Sequence, residues 1–400
     1  MITLSPAEAR RRLVSHLGLV RPLGRGRNGV RKLLDRLRCI QLDPLDMIGT
    51  NADLVVMARV DAVSRGDLWQ HLFPGHAFEH FAKERCILPA SAFPWYRDRG
   101  HRAETPWWQH GERERRVATQ LIDAVLSEIR ERGPLSAREI TDHGAVEPLD
   151  WGGWKGTSKA TTMALEILWT RCDIVVCGRT DNGSKLYDIP PRALGTIAKA
   201  PAGGDFEKWA LHDRVDAAGL LSRAGGSHWS MLGDVRTSPL PDALIADGTL
   251  IEVMIEGATR RYLALPPFLE PQRTPRYDDR VRILGPLDPL LWDRALVRTV
   301  FDFDYVWEVY KPEHLRKWGW YVCPLLHRDR LIGRIDARIV NSALVVSKLW
   351  IESGDADLGA IKEALERHAS LSGCDRVRMP LRISTPQIVA GHSNLRRRSQ

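Results

Sequence analysis

The stretch Ile174-Val175-Val176-Cys177-Gly178-Arg179-Thr180-Asp181-Asn182-Gly183-Ser184-Lys185-Leu186-Tyr187-Asp188 decides how the rest of the chain is read. Apolar residues flank Asp181-Asn182-Gly183, and an Asn-Gly pair tolerates the positive φ angles of a tight hairpin turn. Just upstream, residues 158–171 predict a helix. Before that, residues 115–132 predict another, continued at Ser136-Ala137-Arg138-Glu139, which has the form of a capping box. The unit is therefore a set of helices followed by a two-stranded hairpin.

Working outward, the same order recurs. A helix over 213–224 and a segment at 241–245 lead into residues 250–255, a turn at Glu256-Gly257, and a return over 260–264. Toward the N-terminus, Ser5-Pro6-Ala7-Glu8 offers an N-cap, proline at the first helical position and a capping-box glutamate, so a helix is expected over 10–17. After a Gly/Arg-rich turn, Val30, Leu33, Leu34 and Leu37 recur at helical spacing and run into the extended segment Cys39-Ile40-Gln41-Leu42-Asp43-Pro44. Helices plus a hairpin are the parts of a winged helix, one helix for the major groove and a wing for the flanking backbone. The pattern alone equally suits α+β modules with no DNA role. From 277 to 351 short β-type runs at 281–283, 306–309, 318–322, 331–335 and 344–349 predict a partial barrel, followed by a helix over 356–371 and a tail with Arg396-Arg397-Arg398. The expected fold is α+β: tandem winged-helix modules over 1–112, 113–200 and 201–270, then a small β-barrel-like domain over 271–400.

With 44% apolar and 27% charged residues the 400-residue chain reads as globular throughout. The excess of 58 Lys+Arg over 50 Asp+Glu gives +8, which favours a polyanionic partner if it is clustered. Cys39, Cys86, Cys172, Cys177, Cys323 and Cys374 are scattered, without a C-x-x-C pair, and read as reduced core thiols. Neither a charged-then-apolar leader nor a run of about 18 apolar residues is found, so a cytoplasmic protein without a membrane partner is expected. The absence of Walker, G-x-G-x-x-G, H-E-x-x-H and G-x-S-x-G patterns removes the usual support for nucleotide, zinc-protease and serine-hydrolase chemistry. No cofactor or metal is expected.

Two features could carry chemistry. Gln41 and Asp43 are two apart in an extended segment, so both side chains are expected on one face, with Leu42 turned into the core. A carboxylate beside an amide can hold and activate one water, as hydrolysis through a cationic sugar requires; the same spacing is commonplace on surface strands. The loop Trp151-Gly152-Gly153-Trp154-Lys155-Gly156-Thr157-Ser158-Lys159 combines stacking faces, permissive glycines and cations, and Trp107-Trp108 form a second aromatic pair. Both suit nucleic-acid contacts and an aromatic plug between domains equally well. The arginines at 10–12, 21–38 and 113–116 read by default as solvated faces.

Several stretches together resemble one family, the winged-helix DNA glycosylases of the YcaQ-like and AlkZ-like type. They are Cys39-Ile40-Gln41-Leu42-Asp43, Leu186-Tyr187-Asp188-Ile189-Pro190, Gly285-Pro286-Leu287-Asp288-Pro289-Leu290-Leu291-Trp292-Asp293-Arg294, Phe301-Asp302-Phe303-Asp304-Tyr305 with Trp307-Glu308-Val309-Tyr310-Lys311-Pro312, and Gly319-Trp320-Tyr321-Val322-Cys323-Pro324-Leu325-Leu326 with Gly333-Arg334-Ile335-Asp336. The resemblance implies a monofunctional glycosylase that removes N7-alkylguanine, including bulky adducts and interstrand crosslinks, from double-stranded DNA and leaves an abasic site. It implies Gln41 and Asp43 as the catalytic pair, in the Gln-apolar-Asp form of the YcaQ-like branch. Trp151, Trp154, Lys155, Lys159, Arg179, Lys185 and Lys83 are the expected DNA contacts. Tandem modules in one chain favour a monomer. Thr50 and Ala52 stand where the family often carries arginine and histidine, and a further family histidine is replaced near Lys83. Those departures motivate a second reading, a winged-helix regulator or damage-binding protein without catalysis. A protein-interaction scaffold is a third.

Overall fold

The computed structural model of the chain describes residues 2–100, 110–147 and 158–384, apart from 272 and 355. Three units repeat one order of elements: helix, short strand, helix, hairpin. The first has helix Gly26–Leu37, strand Ile40–Gln41, helices Asn51–Met57 and Asp67–Leu72, and hairpin arms Ala77–Ala82 and Glu84–Pro89. The second has Thr119–Arg132, Leu135–Ser136, Ala160–Thr170, then Val175–Arg179 and Lys185–Asp188. The third has Phe206–Ala218, Leu221–Ser222, Leu240–Ala246, then Ile251–Ile255 and Arg261–Ala264. In each unit the short strand pairs antiparallel with the second hairpin arm: Ile40 with Ile87, Leu135 with Tyr187, Leu221 with Leu263. The turns depend on Gly183 and Gly257, at φ +79° and +77°, where a side chain would be strained.

The structure adds one strand and corrects the expected capping boxes and β-type runs. Residues Ile2–Leu4 form a strand that pairs in parallel with Val253–Ile255, so the start of the chain completes the third unit's sheet. Ser5 does cap the following helix, Pro6–His16, accepting from the Glu8 N–H at 3.2 Å, but the Glu8 carboxylate turns to Arg12 at 2.8 Å instead of closing a box. At Ser136 the Glu139 carboxylate accepts the Ser136 N–H at 2.8 Å, yet only a turn forms, because Leu135–Ser136 is committed to the sheet. Of the β-type runs, 318–322 enters a strand only at Val322, and 306–309 is not a strand. Glu308 there is buried and its carboxylate accepts the N–H groups of Lys317 and Trp318, at 3.1 and 2.7 Å, which folds the segment into a loop.

The β-rich part is an open sheet in which Val281–Ile283, Val322–His327, Arg330–Val340, Ala343–Ile351 and Arg376–Arg378 pair in that order. Bulges at Leu325/Leu326 and Asp336/Ala337 bend its long strands. Helix Leu358–Leu371 packs Ile361, Ala364, Leu365 and Ala369 against its apolar face. Helix Pro6–His16 lies against helix Arg294–Phe301, in a core shared with Leu33, Val55, Tyr262 and Tyr305. The Arg59 guanidinium grips Asp288 through bonds of 2.7 and 2.8 Å, both side chains fully buried. Among the described residues, no helix is long and apolar enough to cross a membrane.

Candidate nucleic-acid interface

Between the first unit and the hairpin of the second lies an open cleft of about 1080 Å³. Leu42, Asp43, Thr50 and Trp69 line one side, and Gly178, Arg179 and Lys185 the other. The strand Ile40–Gln41 is short because Pro44 supplies no N–H to continue the ladder. The chain therefore turns, and both Leu42 and Asp43 reach the cleft. Leu42 packs against the core as expected but is only half-buried, its remainder lining the cleft. The Asp43 carboxylate accepts the Leu45 N–H at 2.9 Å, an Asx turn that fixes its direction. Partial burial raises its pKa above the ordinary carboxylate value, opposed by that N–H.

Gln41 is buried one residue inside the cleft wall rather than sharing the exposed face of Asp43. Its carbonyl accepts from Asn51 Nδ2 at 2.9 Å, and its Oε1 accepts from Lys83 Nζ at 2.8 Å. The resembling segment at 285–294 backs this arrangement from behind. The Leu287 N–H donates to Asn51 Oδ1 at 3.1 Å, and Lys83 sits over the Trp292 ring at 5.3 Å. Only glycine fits at 285, since a Cβ there would stand 2.6 Å from Asn51 Oδ1. Lys83 was expected among the DNA contacts; the structure corrects this, because its ammonium is turned inward and is 3% exposed.

Arg179 and Lys185 are brought to the cleft. They are directly opposed across the hairpin, so both point to one side, where like charges repel. The Glu79 carboxylate answers both: Arg179 Nη2 bonds its Oε1, and Lys185 Nζ lies 3.9 Å from its Oε2. Glu79 is fully buried and its carbonyl is held by Trp169 Nε1 at 2.9 Å. Arg179 also lies flat over Trp69 at 3.9 Å, a cation on an aromatic face at the cleft wall. Burial lowers the Lys185 pKa, with Glu79 opposing. Arg85 adds a third cation, paired with Glu166 at 3.2 Å and stacked on Trp169 at 4.7 Å.

Lys159 is exposed at the far edge of the second unit, paired with Asp142 at 2.9 Å, and does not line the cleft. Trp151, Trp154 and Lys155, like Trp107 and Trp108, lie outside the described residues. Of the two departures, Thr50 faces the cleft but serves as an N-cap, its Oγ1 accepting the Asp53 N–H at 3.2 Å. Ala52 is fully buried in the core, so that position has no access to DNA here. Glu79, Trp69, Arg85 and Asn51 escaped the sequence reading. A glutamate inside the otherwise apolar and aromatic run Ala77-Phe78-Glu79-His80-Phe81-Ala82 was the one usable signal. Among the described residues, no group of three His, Cys, Asp or Glu side chains is placed to hold a metal ion.

The family described as DNA glycosylase AlkZ-like matches residues 34–371, which span both the Gln41–Asp43 segment and the backing segment at 285–294. Among solved structures, the Streptomyces sahachiroi DNA glycosylase AlkZ is similar with a TM-score of 0.60 at 16% identity, over 96% of this chain and 100% of that one. At that identity the likeness carries the fold, and the family match carries the assignment: this chain belongs to the AlkZ-like DNA glycosylase family.

Proposed function

We propose that the protein is a monofunctional glycosylase that hydrolyses the N-glycosidic bond of N7-alkylguanine in double-stranded DNA. The observation that carries the reading is Asp43: a directed, half-buried carboxylate in a cleft whose opposite wall carries Arg179 and Lys185. Alkylation at N7 makes the purine cationic, so it departs without protonation once the C1′–N9 bond lengthens. Water adds to C1′, its proton passes to Asp43, and neutral N7-alkylguanine leaves, giving an abasic site. Asp43 also stabilises the developing sugar cation, while Gln41 orients the water. No lysine nucleophile is required, so strand cleavage is not expected.

The recurring helix–strand–helix–hairpin order supports reading 1–112, 113–200 and 201–270 as tandem winged-helix modules, with 271–400 as the barrel-like domain. An open cleft of about 1080 Å³ supports bulky adducts and crosslinked strands as substrates, acted on by a monomer. The second reading is binding to damaged DNA without excision, favoured by the uncharged Thr50 facing the cleft.

The test is release of free base from a duplex with one N7-alkylguanine, the abasic product being revealed by alkali. Wild type should release base and Asp43→Asn should lose about 10²–10⁴-fold. Binding without release across small and bulky adducts would favour the second reading.

A further inference from the structure

We propose that Lys83 is a positioning residue that fixes which end of the Gln41 amide faces the reacting water. The proposal rests on the glycosylase reading of Gln41 and Asp43. The two ends of an amide are nearly the same shape, so its neighbours decide its orientation. An ammonium has three donors and no acceptor. At 2.8 Å from Gln41, Lys83 can therefore hold only Oε1. The amide nitrogen Nε2 is directed elsewhere, and it has no acceptor among the described residues. The rest of Gln41 is pinned by its pairing with Cys86 and by Asn51 on its carbonyl, which leaves the side-chain torsions as the freedom to be removed.

Lys83 is held as a positioning group would need to be. Its carbonyl accepts from Cys86 Sγ at 3.1 Å, and its ammonium lies over the Trp292 ring. Among the described residues no carboxylate is within ion-pair distance of it. A buried ammonium without a carboxylate opposes folding, so its benefit is to be sought in function. That benefit is complementarity with Asp43. With Nε2 facing the water, Gln41 donates to the water oxygen and the water's protons are left for the carboxylate. With the amide reversed, Oε1 would compete with Asp43 for the proton that must be removed.

A neutral amine can accept as well as donate, so loss of the Lys83 proton releases the amide. Burial lowers the Lys83 pKa below the ordinary 10.5; Arg214 lowers it further, while Cys86, Cys39 and Glu84 oppose. Excision should therefore fall on the alkaline side as Lys83 deprotonates.

The experiment uses the full chain as wild type, Lys83→Met and Lys83→Arg. Base release from an N7-methylguanine duplex is followed against pH, with duplex affinity and melting temperature alongside. The side-chain amide signals of Gln41 are read by NMR after selective ¹⁵N-glutamine labelling. Lys83→Met should lose at least about tenfold in release with duplex affinity unchanged, and its Gln41 amide signals should move. Lys83→Arg should recover part of the loss and lack the alkaline limb, since a guanidinium stays charged. If Lys83→Met does not fold, the pH profile of Lys83→Arg decides alone. An alkaline limb retained in Lys83→Arg, or full release by Lys83→Met, would overturn the proposal. If wild type releases no base the glycosylase reading falls, and the Gln41 amide signals, which need no turnover, still decide the positioning: moved signals support it and unmoved signals overturn it.

Discussion

Asp43 is half-buried and its pKa lies above the ordinary 3.8, so its competence as a base is lost on acidification sooner than for a free carboxylate. Excision plotted against pH should show an acid limb centred above 3.8, and whatever residual rate Asp43→Asn retains should lack that limb. Glu79 is the second residue with a sharp consequence. It neutralises Arg179 and Lys185 from a fully buried position, so Glu79→Gln should leave two cations uncompensated in the cleft. Duplex affinity should rise, with the log–log salt slope steeper by about 0.9 for each phosphate newly contacted. The fold should lose about 3 kcal/mol in the same variant, measured by denaturant titration. Gln41 and Asp43 stood out in the sequence as candidates because a short motif sits in a framework of distant matching segments, but the spacing did not disclose that Gln41 is buried while Asp43 lines the cleft. Lys83 was misplaced for a physical reason: a lysine in a sequence carries no mark of which way its amine turns, and only the fold brought it against Gln41, 42 residues away.

Among the elements, the hairpins of the second and third units were the most legible, because their turns need glycine at 183 and 257 and their arms need apolar residues; the first unit's hairpin turns through Glu84 at φ +60° without a glycine and was not read. Helix limits followed from spacing to within a few residues at 119–132, 160–170 and 358–371, but the helix expected over 213–224 is Phe206–Ala218, and Asn51–Met57 and Asp67–Leu72 were not read. The run at 306–309 failed because apolar character decides burial, not conformation, and the buried Glu308 carboxylate collecting two N–H groups decided for a loop. The strand Ile2–Leu4 was missed because its partner is about 250 residues away, outside the reach of any local pattern. The segment at 285–294 acts on the site as an element. Gly285→Ala would press a methyl group against Asn51 Oδ1 at 2.6 Å and Leu54 Cβ at 3.3 Å, both on helix Asn51–Met57. It should cost about 1–3 kcal/mol by denaturant titration, and lower excision at temperatures where the variant remains folded.

Across the whole molecule, burial sets the response to acid. His80 is fully buried and its pKa is pushed down to about 3, and burial also lowers those of His16, His228 and His368. Each of these imidazoles takes up its proton at lower pH in the fold than in the unfolded chain, where protonation begins below about 6.5. Each therefore leaves stability unaffected above about 6.5 and reduces it as pH falls from there toward the folded value. Melting temperatures at pH 7 and pH 5 should differ, lower at pH 5, and His80→Gln should reduce the difference. The buried Arg59–Asp288 pair joins the first unit to the segment that backs it, so Asp288→Asn should destabilise by about 3–5 kcal/mol in a denaturant titration.

The strand Ile2–Leu4 also orders events during synthesis. It leaves the ribosome ahead of its partner, Val253–Ile255, which emerges only after about 250 more residues have been added. At about 5–20 residues per second the N-terminal segment waits roughly 12–50 s for that edge to exist. The second unit, whose three strands all come from residues 135–188, can close its own sheet in the meantime. The first unit's sheet, contained within residues 40–89, can do the same, so the first two units are expected to close before Ile2–Leu4 finds its partner.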